Sequence, residues 1–401
     1  MTKPLLLKNL RLMGAAKTDV LIEEGRIARI APEVTPTGDV TVEDCSDALA
    51  LPGLIDAHAH LDKTLWGMPW HPHQQGKSLQ QMIDTERHLR HELDMDAERQ
   101  SSRQVALALS KGTTAIRSHV DIDTDHGLTL FEGVAATRDR YAEVMQIEIV
   151  AFPQSGMMIR PGTVELMDQA LRDGAEIVGG LDPCGIDRDP KGQLDAVFGL
   201  AEKHGKQIDI HLHEPGEMGA FSLEMILDRT EALAMQGKVT VSHAFCLGMN
   251  DQARVAALLD RIAALDVSLA TTAPASRPVP SVAACRERGI AICAGNDGIR
   301  DTWTPYGNAC MLERAMLVGL RNNFRADVEV AWALDTCTTD GARVMGLEGY
   351  GLTEGSRADL VLVDVEAVSE AITLRPPRRL VISGGQIVAR DGVTEATWQT
   401  A

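Results

Sequence analysis

A chain of 401 residues has room for one large domain and a small one, and 44% apolar with 24% charged residues is the content of an ordinary globular protein. A net charge of −18 argues against nucleic acid or an anionic membrane as partner, and 3% aromatics leave little for a base-stacking platform. No apolar run reaches transmembrane length, the run Leu5–Leu7 is too short for a signal peptide, and seven cysteines without a C-x-x-C pair read as reduced thiols of a cytoplasmic protein.

Residues 5–12, 19–23 and 26–30 read as short strands, the last two flanking the tight turn Glu24-Gly25 in a hairpin pattern. The far end has the same texture. Residues 358–364, 380–383 and 386–389 are strand-like, with Gly384-Gly385 between the last two. These ends predict a small β-sandwich domain assembled from residues 1–52 and 350–401, with residues 53–349 as the catalytic unit.

The middle alternates. Strand-like runs fall at 53–61, 112–121, 145–154, 176–183, 207–214, 238–245, 266–274 and 290–297, separated by amphipathic segments such as 101–109 and 164–171. Eight β-then-α units predict an α/β chain with a (β/α)8 TIM-like barrel. A doubly wound sheet should carry a Gly-rich phosphate turn after its first strand. Here that strand closes on His58-Ala59-His60 instead. The connection from Asp62 to Ser101 holds Trp66, Gly67, Pro69 and Trp70 and suits a lid; packing of the tryptophans beneath a long loop is the alternative.

In such barrels, reactive groups sit at the C-terminal strand ends. His58 and His60, two apart on a strand, face the same way. With His211 and Asp297 they make three imidazoles and a carboxylate, a set that leaves an open position for water on a catalytic cation. A cation there lowers the pKa of its water toward ~7. Glu214 can carry a proton, and His243 can orient or polarise the water. His213 shares a face with His211 and is an alternative for the role given to Glu214 or for a ligand. His119 reads as support for a ligand or as core, and His71 and His73 as solvated loop residues.

The stretches Pro52-Gly53-Leu54-Ile55-Asp56-Ala57-His58-Ala59-His60, Arg117-Ser118-His119-Val120-Asp121, Phe152-Pro153-Gln154, His211-Leu212-His213-Glu214, Ser242-His243-Ala244 and Asn296-Asp297 resemble the amidohydrolase superfamily, in particular its cytosine-deaminase-like branch. The resemblance implies one Zn or Fe(II) ion per chain on His58, His60, His211 and Asp297. It implies catalytic roles for Glu214, His243 and Asp297, with Gln154 on the amide face of a ring. Two features depart from the cytosine deaminases. Gly298 stands where they place a second aspartate, which would open space, and His213 replaces another residue. Lys63, and the segment from Asn296 to Trp303, look like the N-isopropylammelide amidohydrolases; Lys63, Trp303, Gln154 and His213 are the substrate-contact candidates.

The expected activity is therefore metal-dependent hydrolytic deamination of a small aminopyrimidine such as cytosine or 5-methylcytosine. Release of an alkylamine from an N-alkylammelide is the alternative, and cyclic-amide hydrolysis, which needs a second metal, stands further off. A catalytically silent barrel used for binding is the reading from another class. A homo-oligomer is compatible with the likeness, and neither nucleic acid nor membrane is expected as a partner.

Overall fold

The computed structural model describes residues 3–399 apart from positions 74, 75 and 77. The extreme ends of the expected small domain lie outside the described residues. Eight parallel strands follow one another around a barrel: β1 (Leu54–Ala59), β2 (Thr113–Asp121), β3 (Gln146–Phe152), β4 (Ile177–Leu181), β5 (Gln207–His211), β6 (Val239–Ser242), β7 (Ser268–Thr271) and β8 (Ile292–Ala294). Each coincides with one of the eight strand-like runs. Every residue of β1, β2, β4, β6 and β8 is buried, as expected of strands covered on both faces.

The ring closes between β8 and β1. Ala59 bridges to Asp297, and Asp297 N–H donates to His58 O at 2.8 Å. Gly295 makes the closure possible, since a Cβ there would lie 2.3 Å from His58 O. A bulge in β1 then aims the histidines. Asp56 pairs with Ile116 but Ala59 with Ser118, so β1 carries one extra residue over this interval. Below the bulge Ile55 and Ala57 pack inward with Ala115, Ala270 and Cys293. Above it, His58 and His60 face the interior.

Both chain ends contribute to a second, nine-stranded sheet, built from residues 5–52 and 360–394. Leu49–Pro52 pairs antiparallel with Leu360–Val363, joining the two halves. The sheet folds over its own core, where Leu7, Val20 and Ile27 meet Leu360, Leu362 and Ile382. The two glycine turns touch: a Cβ on Gly25 would lie 3.0 Å from Gly384 O.

The connection after β1 is largely helical, α1 (Leu79–Glu92) and α2 (Ala97–Ser110), capped by Ser78 and Asp96. In α1, Ile83 packs against Phe152, Leu181 and Ile186, which fixes the helix over the rim. The sequence masks α1 because a carboxylate, Glu86, occupies one of its two fully buried positions. Trp66 packs against the core, whereas Trp70 is exposed. No helix among the described residues is long and apolar enough to cross a membrane.

Candidate active site

Two strand ends, those of β1 and β5, and the β8 turn bring the expected metal ligands together. The ligand atoms of His58, His60 and Asp297 lie within 4.8 Å of one another, and so do those of His58, His211 and His243. His60 Nε2 is 3.3 Å and His58 Nε2 3.8 Å from Asp297 Oδ1. The His58 and His211 rings are 4.6 Å apart, and Phe152 stacks on His211 at 4.2 Å. His243 adjoins both rings, at 4.7 and 5.0 Å.

A cation fits this donor set. His58 Nε2 and both ring nitrogens of His211 and His243 are buried without a hydrogen-bond partner among the described residues. Burial holds the pKa of His58 down to about 3 and those of His211 and His243 well below the usual imidazole value. The rings are therefore neutral at pH 7, the form that binds a metal.

A hydrogen-bond chain fixes which nitrogen of His58 faces that centre. Ser242 Oγ donates to Asp209 Oδ1 at 2.6 Å and lies 3.0 Å from His58 Nδ1. With its single hydrogen given to Asp209, Ser242 accepts from His58 Nδ1–H, and the lone pair falls on Nε2. Arg117, fully buried, anchors the chain below, donating to Asp209 Oδ2 at 3.2 Å, to Glu148 Oε2 at 2.9 Å and to Val344 O at 3.1 Å. His119 lies inside the barrel with its ring 4.3 Å from His58 and 4.4 Å from His211. Non-glycine residues at the rim, Asp182, His243 and Asp297 among them, adopt left-handed backbone, with φ of 38°, 68° and 63° for these three. Such strained conformations persist where the surroundings over-determine them.

Beside the imidazole cluster stands a polar wall. Lys63 Nζ donates to Gln154 Oε1 at 2.7 Å, faces Glu86 Oε2 at 3.7 Å and lies 4.6 Å above the Trp303 ring. Three of the four expected substrate contacts thus meet in one place. Burial works against a charge on Lys63, but Glu86 and Asp301 outweigh it and raise its pKa, so the ammonium persists. Gln154 Nε2 is buried without a hydrogen-bond partner among the described residues. The space expected from Gly298 is not open: a Cβ there would lie 1.7 Å from Asp301 Oδ2, so that carboxylate fills it. His73, expected to be solvated, is partly buried, and its Nε2 lies 2.6 Å from Asp301 O.

His213 and Glu214 diverge. Asp182 Oδ2 accepts from His213 Nδ1 at 2.8 Å, and the His213 ring sits 4.4 Å from that of His243. The Glu214 carboxylate is engaged elsewhere. Its Oε1 accepts from the backbone N–H of Cys184 and of Gly185, both at 2.7 Å, and its Oε2 accepts from Ser222 Oγ. Burial raises its pKa.

Asp209 and Glu86 carry no expectation from the sequence, and Arg117, Ser242 and Asp301 enter only within motifs. For two of them a signal existed. Asp209 precedes His211 by two and Arg117 precedes His119 by two, so strand alternation places each on the same face as its histidine.

Comparison with known proteins agrees with this architecture. A model of the amidohydrolase family matches residues 85–389. The crystal structure of N-isopropylammelide isopropylaminohydrolase from Burkholderia multivorans is 50% identical, covers 98% of this chain and 100% of its own, and superposes with a TM-score of 0.96. N-isopropylammelide isopropyl amidohydrolase of Pseudomonas sp. (strain ADP) is 28% identical over 389 residues, 94% of this chain and 95% of that protein. The 5-methylcytosine deaminase of Klebsiella pneumoniae, in complex with 5-fluorocytosine, is 25% identical with a TM-score of 0.84, covering 96% of this chain and 97% of its own. The chain belongs to the amidohydrolase family, hydrolases that act on C–N bonds and typically use a divalent metal.

Proposed function

We propose that this protein hydrolyses the exocyclic C–N bond of a small oxo-substituted nitrogen heterocycle, with an N-alkylammelide as preferred substrate and an alkylamine as leaving group. The observation that carries the reading is the donor wall of Lys63 and Gln154 beside the imidazole cluster. Lys63 gives one N–H to Gln154 and turns another toward Glu86, which leaves a third for a ligand, and Gln154 Nε2 is a further donor. A ring with two oxo groups supplies an acceptor for each, whereas cytosine has one carbonyl. The 50% identity to an N-isopropylammelide isopropylaminohydrolase supports the same choice.

A divalent ion on His58, His60, His211 and Asp297, one per chain and either zinc or ferrous iron, would supply the Lewis acidity that makes water nucleophilic near neutral pH. The chain's own residues do the rest. Lys63 and Gln154 hold the ring oxygens, and Trp303 flanks the ring beside Lys63. His243 orients the attacking water and takes its proton at a ring nitrogen. His213, with Nδ1–H given to Asp182 and its ring 4.4 Å from that of His243, receives that proton at Nε2 and delivers it to the departing amine. Glu214 braces the rim between β4 and β5 through its three donors.

Deamination of an aminopyrimidine such as cytosine or 5-methylcytosine is the second reading. Glu214, three residues after His211, favours it, and so does the likeness to 5-methylcytosine deaminase. Amine release measured across N-isopropylammelide, ammelide, cytosine, 5-methylcytosine and isocytosine tests the choice. The highest kcat/KM is expected on N-isopropylammelide; turnover confined to the pyrimidines would favour the second reading.

A further inference from the structure

Gly298 follows the last ligand, Asp297, and its backbone is not in the left-handed region, so its conformation does not call for glycine. Space does. The three atoms nearest a Cβ at this position all belong to Asp301: Oδ2 at 1.7 Å, Cγ at 2.8 Å and Oδ1 at 3.4 Å. Asp301 itself is 2% exposed. Its Oδ1 accepts from the backbone N–H of Trp303 and of Thr304, both at 2.8 Å. The indole so anchored is the one lying 4.6 Å from Lys63 Nζ. Asp301 is also, after Glu86, the strongest electrostatic partner of Lys63.

We propose that Gly298 and Asp301 form a specificity-determining pair, in which the missing side chain at 298 admits the Asp301 carboxylate and Asp301 positions Trp303 and Lys63 against the substrate ring. Asp301 is thus a positioning residue, acting through the two groups that touch substrate. The inference rests on the proposed function for the identity of the ring, and on geometry alone for the coupling between 298 and 301.

The experiment is a double-mutant cycle of Gly298→Ala and Asp301→Ala, read as kcat and KM on the best substrate of the wild-type panel, with bound metal and thermal midpoint measured alongside. Each single variant is expected to raise KM and lower kcat/KM by about 10- to 100-fold, the scale of a misplaced positioning group, with metal retained. In the Asp301→Ala background, Gly298→Ala is expected to cost less than about twofold, because the atoms it strikes are gone. Fully additive losses, or a Gly298→Ala variant with unchanged KM, overturn the proposal. A lowered thermal midpoint with KM intact also overturns it, by assigning the pair to folding alone. The substrate panel decides the proposed function independently of this cycle. Whatever the substrate, a crystal structure of Gly298→Ala is expected to show the Asp301 carboxylate and the Trp303 indole displaced; both unmoved would contradict the inference.

Discussion

Lys63 Nζ donates to Gln154 Oε1 across 2.7 Å, although 91 residues separate the two in the chain. One follows β1 and the other β3, so the barrel alone brings them together. Lys63→Met removes the charged donor while keeping much of the side chain's length. Since a hydrogen bond to a charged group is worth about 1.5–3 kcal/mol, kcat/KM should fall by about 10- to 100-fold, chiefly through KM. Unchanged KM on every ring of the panel would remove Lys63 from the substrate wall.

The ion pair of Lys63 with Glu86 sets a pH dependence of stability. Burial opposes the charge on Glu86, but Lys63 and Arg90 prevail and hold its pKa at about 2, below the ordinary 4.5. The folded state thus binds the proton more weakly than the unfolded chain. The stabilisation is complete above pH 4.5 and fades as pH falls toward 2. Glu86→Gln should therefore be less stable than wild type at pH 7, by about 3–5 kcal/mol because Lys63 and Arg90 lose a buried partner. Denaturant unfolding at pH 7 and pH 3 should show the gap narrowing at the lower pH; a gap independent of pH would contradict the pairing.

Ser242 holds His58 without being one of the proposed metal ligands. Ser242→Ala frees His58 to rotate or change tautomer, and loss of such a support typically costs 10–100-fold in metal affinity. Competition with a chelator should show that loss while the folded content stays unchanged. Equal affinities would mean that the chain from Arg117 through Asp209 does not orient His58.

His213 and Glu214 can be separated by their variants. His213→Ala should lower kcat by about 10²–10⁴-fold, the usual contribution of a positioned acid or base, with metal still bound. Glu214→Gln keeps an oxygen for the N–H groups of Cys184 and Gly185 and should cost less. The opposite order would assign the proton to Glu214.

The barrel was legible because buried parallel strands are near-continuous apolar runs, and the histidines because they sit at the ends of those runs. Lys63, Gln154 and Trp303 could be named from the resemblance, but their mutual contacts could not, since nothing local in the sequence encodes contact across a barrel mouth. Helix α1 stayed hidden because Glu86 stands at a buried position where an apolar residue marks a helix face. The open space expected at Gly298 is filled because Asp301, three residues on, turns back into it, and nothing in the sequence signals that turn. The commitment of the Glu214 carboxylate to two backbone amides is likewise a property of the fold and not of its motif.

The central claim is that His58, His60, His211 and Asp297 hold one divalent ion. Elemental analysis of the purified wild-type protein and of His211→Ala tests it directly. The account expects close to one zinc or iron per chain in the wild type and close to none in the variant. A wild type that binds no ion when zinc and ferrous iron are supplied, or a variant that keeps the full complement, would contradict it.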